Sequence, residues 1–256
     1  MDLAYRKVGN GESLLMIHGW GMNSAVWDPI AEKLQEDYEL ILIDLPGMGF
    51  SHEIHPLNLE RIVSEITNLI PDSVNVCGWS MGGLVAMRLA LSKKVKRLIL
   101  TGSSPRFVNN QDEKWGNGIN ECVFRKFAEQ MRTDYHETLF KFLTLQCMGA
   151  KDARQIIRVL RKSFEERPIP NENGLMSALD ILLNNDLRDD FVTIACPMLL
   201  IHGERDTLAP KEAALWMKEN ARASTDLCLI PGASHAPFLS HADKFIELTK
   251  KFLAQA

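Results

Sequence analysis

Val74-Asn75-Val76-Cys77-Gly78-Trp79-Ser80-Met81-Gly82-Gly83-Leu84-Val85-Ala86-Met87 reads as a short apolar strand, a serine between glycines, and the start of a helix. In that context G-x-S-x-G is a nucleophile elbow: the glycines leave room for a tight, strained turn that aims the Ser80 hydroxyl away from the sheet. The helix opened by Met81 points its positive end at the same spot and favours negative charge developing there. The competing reading is an ordinary glycine-rich strand–helix turn.

Working outward, the strand Val74–Cys77 is one of several short apolar runs. The others are Ser13–Ile17, Leu40–Ile43, Val95–Leu100, Met198–Ile201 and Leu227–Ile230. Continuous apolar character marks strands buried on both faces, as in a parallel sheet. Helix-like segments such as Asn58–Ile70 and Leu84–Leu91 lie between them, so the fold class is α/β with a mostly parallel, doubly wound sheet. Leu3–Val8 alternates more and reads as an antiparallel edge strand. From about Arg106 to Phe191 the pattern changes to helical spacing over Cys122–Met131, Tyr135–Met148, Asp152–Glu166 and Gly174–Asn184. Pro168 and Pro170 end the third of these. Some 80 residues are too many for a loop. Residues 106–191 are therefore read as a helical cap inserted after the sixth strand, with residues 1–105 and 192–256 forming the core.

At 256 residues the chain can bury roughly 70–75% of its extended surface, so it needs no disulfide or metal staple. A net charge of −4 gives no overall drive toward nucleic acid or an anionic membrane. Cys77, Cys122, Cys147, Cys196 and Cys228 form no C-x-x-C pair and read as buried structural thiols. No apolar run is long enough to cross a bilayer, and the first residues do not resemble a signal peptide. These features predict a reducing, cytoplasmic setting.

A serine hydroxyl needs a base to become nucleophilic. His235, in Pro231-Gly232-Ala233-Ser234-His235-Ala236-Pro237, follows the last strand on the edge where open α/β sheets hold ligands. His18 and His202 also end strands, but each precedes a glycine and suits loop geometry. His52, His55, His136 and His241 read as solvated or structural, without metal-ligand spacing. The base in turn needs an orienting carboxylate. Asp206 follows the strand Met198–Ile201, with Glu204 its nearest rival. Asp186, Asp189 and Asp190 precede that strand and enter from the wrong edge. The turn His18-Gly19-Trp20-Gly21 can present the Trp20 N–H beside that of Met81, two donors for a tetrahedral oxyanion.

Ser80, Asp206 and His235, in this order and context, resemble the α/β-hydrolase superfamily over about Leu14 to Phe252. The turn Asp44-Leu45-Pro46-Gly47-Met48-Gly49-Phe50-Ser51 resembles the superfamily's loop after its next strand, where Asp44 and the glycines are structural. Three strings resemble a narrower family, the pimeloyl-carrier-protein methyl ester esterases of biotin synthesis. They are His18-Gly19-Trp20-Gly21-Met22-Asn23, Gly78-Trp79-Ser80-Met81-Gly82-Gly83-Leu84-Val85 and Ser234-His235-Ala236-Pro237-Phe238. The cap strings Lys141–Gly149 and Ala153-Arg154 resemble that family too. The resemblance implies Ser80, Asp206 and His235 as the catalytic triad and Trp20 and Met81 as the oxyanion hole. It also implies Trp20 and Phe142 as acyl-pocket residues, and no metal or organic cofactor.

Lys141, Lys151, Arg154, Arg158, Arg161 and Lys162 face one acidic residue, Asp152, over residues 141–162: six against one, a local +5. Arg154, Arg158 and Arg161 share one helix face. With the resemblance, Lys141, Arg154 and Arg158 become candidate docking residues for an acyl carrier protein bearing the ester, gaining mainly in encounter rate and orientation. A solvated helix face is the bland alternative. Glu137 stands where the family tends to be basic. Rival functions are a carboxylesterase for small free esters, a carbon–carbon hydrolase, and a non-catalytic ligand receptor on the same fold. A dehalogenase of this fold would carry Asp at position 80.

Overall fold

Each apolar run becomes a strand. The computed structural model describes residues 3–53, 58–92, 94–147 and 153–255, and all that follows concerns these. His55, Met148, Gly149, Lys151 and Asp152 lie outside them, as does the side chain of His136. The strands are β1 (Tyr5–Val8), β2 (Glu12–Ile17), β3 (Tyr38–Ile43), β4 (Val74–Trp79), β5 (Val95–Thr101), β6 (Met198–Gly203) and β7 (Thr225–Ile230). They form one sheet in the order β1-β3-β2-β4-β5-β6-β7. Only β1, against β3, runs antiparallel, as its alternating pattern predicts. Leu14–Ile17, Leu40–Ile43 and the whole of β4 and β6 are buried, so helices cover the centre of the sheet on both faces.

Those helices are α1 (Asp28–Leu34), α2 (Leu59–Leu69) and α3 (Met81–Ala90) before the insertion. Within and after it come α4 (Glu121–Thr133), α5 (Tyr135–Gln146), α6 (Ala153–Glu165), α7 (Glu172–Asn184), α8 (Arg188–Phe191), α9 (Lys211–Asn220), α10 (Pro237–Ser240) and α11 (Ala242–Leu253). α1 packs with α10 and α11, whereas α3 packs with α2 and α8. From β2 the chain winds first to β3 on one side and then to β4 on the other. The connections diverge between β2 and β4, the switch point at which open α/β sheets place ligands, beyond the strands' C-terminal ends.

The helical insertion leaves β5 and returns at β6. Counted within this sheet, five strands precede it rather than six, because the alternating edge stretch and the four apolar runs ahead of Arg106 each form one strand. Local signals delimit its helices. Asp134 closes α4 and caps α5, accepting the Glu137 N–H at 3.0 Å, and Asn171 caps α7 by accepting from Gly174 N–H at 2.6 Å. On α6, Ile156, Leu160 and Phe164 are buried and Ile157 partly so, while Arg154, Arg158 and Arg161 face solvent. Two buried hydrogen bonds tie these helices to the core: Trp20 Nε1 to Leu175 O and Asn23 Nδ2 to Ser163 O, both 2.9 Å. Cys77, Cys147 and Cys196 are buried, with burial pushing the Cys147 thiol up to about 12 and Cys196 up to about 11. The reading of the cysteines as buried fails for Cys122, exposed in the first turn of α4, and for half-buried Cys228 on the outer strand β7.

Candidate active site

Ser80 occupies the turn between β4 and α3 with φ 55° and ψ −121°, a left-handed conformation rare for a residue with a side chain. The turn is held rather than relaxed: Ser80 N–H donates to Thr101 O at 3.0 Å, and Ser103 Oγ donates to Ser80 O at 2.9 Å. The close approach of α3 to β2 requires glycine at position 82, where a Cβ would run into Ile17 O and sit 2.5 Å from His18 O. The strain projects Oγ beyond the sheet edge, as the strand–glycine–helix pattern predicts.

His235 reaches the same point from the loop after β7. Its Nε2 lies 2.9 Å from Ser80 Oγ, and its Nδ1 lies 2.8 Å from Asp206 Oδ2 and 3.0 Å from Oδ1. With Nδ1–H directed at the carboxylate, Nε2 is free to accept the serine proton. Trp79 Nε1 donates to His235 O at 2.9 Å and braces the backbone of the base. Asp206 Oδ1 also accepts the N–H groups of Leu208 and Ala209, both at 2.9 Å. Burial alone would raise the Asp206 carboxyl, but the His235 imidazole, His202 and the Ala209 N–H outweigh it and hold the group below the usual carboxylate range. All three side chains are buried, so the chain of hydrogen bonds is shielded from bulk water.

The rival acids are engaged or exposed. Glu204 faces solvent, Asp186 pairs with Arg106 and Arg188, and Asp190 pairs with Arg88 at 2.8 Å. His18 is a clamp: Nδ1–H donates to Gly19 O at 2.8 Å, and Nε2 accepts from Leu45 N–H at 2.9 Å. That joins the His18–Gly21 turn to the loop after β3, where Asp44 accepts from Ser24 N–H and Phe50 N–H. The turn lies against the nucleophile, for a Cβ on Gly19 would come 3.1 Å from Ser80 Cβ. Trp20 and Met81, both buried, therefore flank Ser80 from the ends of β2 and β4.

A cavity of about 220 Å³ lies under the α4–α7 helices, lined by Trp20, Phe127, Phe142, Leu182, Thr207 and Leu208. Phe142 meets Trp20 edge-on with ring centroids 4.8 Å apart. Its lining is almost wholly apolar and it is flanked by the residues that follow Gly19 and Asp206, so it suits an acyl chain rather than a charged group. One buried polar group of α5 escaped the sequence reading. Gln146, one turn beyond Phe142 on α5, is 1% exposed, yet neither atom of its amide has a hydrogen-bond partner among the described residues. A glutamine at the inner-face spacing of Leu139, Leu143 and Phe142 was the available signal. Lys141 forms an ion pair with Glu137 at 2.8 Å, whereas Arg154 and Arg158 stand exposed.

A serine held in a strained elbow, paired with a histidine and a buried aspartate, is the arrangement of a serine hydrolase. A model of the Alpha/beta hydrolase family matches residues 14–248. The chain belongs to this family. Within it, the chain is 38% identical to the pimeloyl-[acyl-carrier protein] methyl ester esterase of Nitrosospira multiformis, over 98% of both proteins. It is 40% identical to the protein so described from Nitrosomonas europaea, over 93% of this chain and 94% of that one. An esterase structure from Exiguobacterium antarcticum superposes with a TM-score of 0.84 at 22% identity, covering 99% of this chain and 96% of that one, and so shares the hydrolase fold.

Proposed function

We propose that this α/β hydrolase cleaves the methyl ester of pimeloyl-acyl-carrier protein, with Ser80 as nucleophile, His235 as general base and acid, and Asp206 as the orienting carboxylate. The observation that carries the reading is the unbroken hydrogen-bond chain from Asp206 through His235 to Ser80 Oγ, beside an apolar cavity. The near-full-length likeness to the two esterases supplies the substrate.

His235 takes the Ser80 proton as Oγ attacks the ester carbonyl. The N–H groups of Trp20 and Met81 stabilise the oxyanion, a contribution of about 10²–10³ in rate per donor in comparable sites. His235 then protonates the departing methoxide, and water activated by the same imidazole releases the carboxylate from Ser80. The acyl chain occupies the cavity against Trp20 and Phe142. The terminal ester is cut and the thioester at the carrier end spared because only the former reaches Ser80.

Arg154 and Arg158 supply the positive face for an acidic carrier protein, with Lys141 contributing less because Glu137 neutralises it. A reducing, cytoplasmic setting suits this reading, and all five thiols are free. Among the described residues no helix is long and apolar enough to cross a membrane.

The test measures methanol release from pimeloyl-acyl-carrier-protein methyl ester by the native protein, Ser80→Ala and Arg154→Glu/Arg158→Glu. The reading expects Ser80→Ala to be inactive and the double charge reversal to fail on the carrier-bound ester alone. Turnover of small free esters with the carrier ester untouched would retain the triad and discard the substrate.

A further inference from the structure

The loop that carries Asp206 is tied back to the strand it leaves by a second imidazole. His202 sits at the end of β6, four residues before Asp206, and its side chain is 1% exposed. Its Nε2 lies 2.6 Å from Ala209 O and 3.6 Å from Asp206 Oδ2. Both neighbours are oxygen acceptors, so Nε2 carries the ring proton. We propose that His202 is a positioning residue for the proposed esterase reaction: its Nε2–H closes the 206–209 loop and keeps the Asp206 carboxylate aimed at His235.

The contacts around the loop explain why it needs a clamp. Leu208 N–H and Ala209 N–H both converge on Asp206 Oδ1, so the carboxylate is held by backbone that is itself a loop. The Ala209 carbonyl is where that backbone meets a side chain on the rigid sheet. A loop free to shift at Ala209 would carry Oδ1, and with it Oδ2, away from the His235 Nδ1–H now 2.8 Å distant. The same Nε2–H, donated to Ala209 O, lies 3.6 Å from Oδ2, close enough for its positive end to favour the ionised carboxylate. Burial lowers the proton affinity of His202 despite the neighbouring Asp206, so the ring is neutral and its single N–H serves this contact. Thr207 and Leu208 line the acyl cavity, so the clamp sets one wall of the pocket as well.

The inference rests on the esterase reading of Ser80 and His235, and the experiment separates the two. His202→Leu and His202→Gln are compared with the native protein on p-nitrophenyl acetate, whose acyl group is too small to need the cavity wall. Thermal melts run alongside, together with proton NMR of the downfield His235 imidazole N–H. Glutamine can place its amide N–H near Ala209 O; leucine has no donor. The expected result is a loss in kcat of about tenfold or more in His202→Leu with KM unchanged, since a misplacement of about 1 Å can cost a hundredfold. The downfield resonance should shift in His202→Leu, and His202→Gln should recover most of both. If His202→Leu does not fold, His202→Asn takes its place, because its amide is too short to reach Ala209. Native kcat in whichever of these folds overturns the inference, as does His202→Gln performing no better than it. An inactive native protein overturns the esterase reading, and this inference with it; an active native protein with an indifferent His202 removes the inference alone.

Discussion

Replacing Asp206 by asparagine exchanges one carboxylate oxygen for an amide nitrogen, and the surrounding donors decide which. Oδ1 accepts from Leu208 N–H and Ala209 N–H, both at 2.9 Å. Turning the amide nitrogen toward them would leave two buried donors unsatisfied, at about 1–3 kcal/mol each. The amide oxygen therefore stays there, and the nitrogen takes the place of Oδ2, 2.8 Å from His235 Nδ1. An NH₂ group in that place opposes the Nδ1–H, which keeps only Oδ1 at 3.0 Å as an acceptor, and favours the tautomer in which Nδ1 accepts and the ring proton sits on Nε2, facing Ser80 Oγ at 2.9 Å. A base already protonated on that side cannot take the serine proton. The expected loss in kcat is about 10⁴, equivalent to about 5.4 kcal/mol of transition-state stabilisation at about 1.36 kcal/mol per decade. Steady-state hydrolysis of a p-nitrophenyl ester measures it, with a thermal melt to show that Asp206→Asn folds. A folded variant losing less than about tenfold would falsify the assignment of Asp206 as the group that sets the His235 tautomer.

Three further outcomes follow from the same contacts. Burial holds the proton affinities of His18 and His202 below that of a free imidazole, so the unfolded chain takes up those protons first as pH falls. Their effect is absent above about pH 6.5. Below it stability drops by up to about 1.4 kcal/mol per pH unit for each, until the folded-state value is reached. Urea melts from about pH 7.5 to about pH 5.5 should show the slope, and His202→Gln should reduce it. Gln146→Leu removes a buried amide that has no hydrogen-bond partner among the described residues; a thermal melt should show stability raised by about 1 kcal/mol or more. Gly82→Ala forces a Cβ against the Ile17 and His18 carbonyls; the expected cost is about 1–3 kcal/mol, with activity lost as the His18–Gly21 turn is pushed off Ser80. A melt and an ester assay on that variant test both effects.

Much of the fold and three of the site residues are legible in the chain because their signals are local. An apolar run ending in glycine, serine or aspartate is both a buried strand and its loop, and a parallel sheet presents all such ends on one edge. That is enough to bring Ser80, Asp206 and His235 together before any distance is known. The alternating pattern of Leu3–Val8 likewise marks β1 as antiparallel, and the spacing of Ile156, Leu160 and Phe164 marks the inner face of α6. Composition was a poorer guide to Cys122 and Cys228, since a thiol's burial depends on which side of its element faces the core.

What only the tertiary structure decided are contacts between residues distant in the chain, together with the orientation of near ones. Asp206 and Glu204 stand two residues apart with equal chemistry, and the direction of one loop puts the first on His235 and the second in water. Lys141 counts as a free cation until Glu137 is seen to pair with it. His202 looks like a loop histidine until its Nε2 is placed between Ala209 O and Asp206 Oδ2. Gln146 is one polar letter in a helix until the amide proves buried and without a partner among the described residues. Sequence pattern determines which elements form and which ends meet, because periodicity and turn chemistry act over a few residues. Pairing of charges, tautomers and unsatisfied groups depends on ångström-scale distances across the fold, and those exist only once the chain has packed.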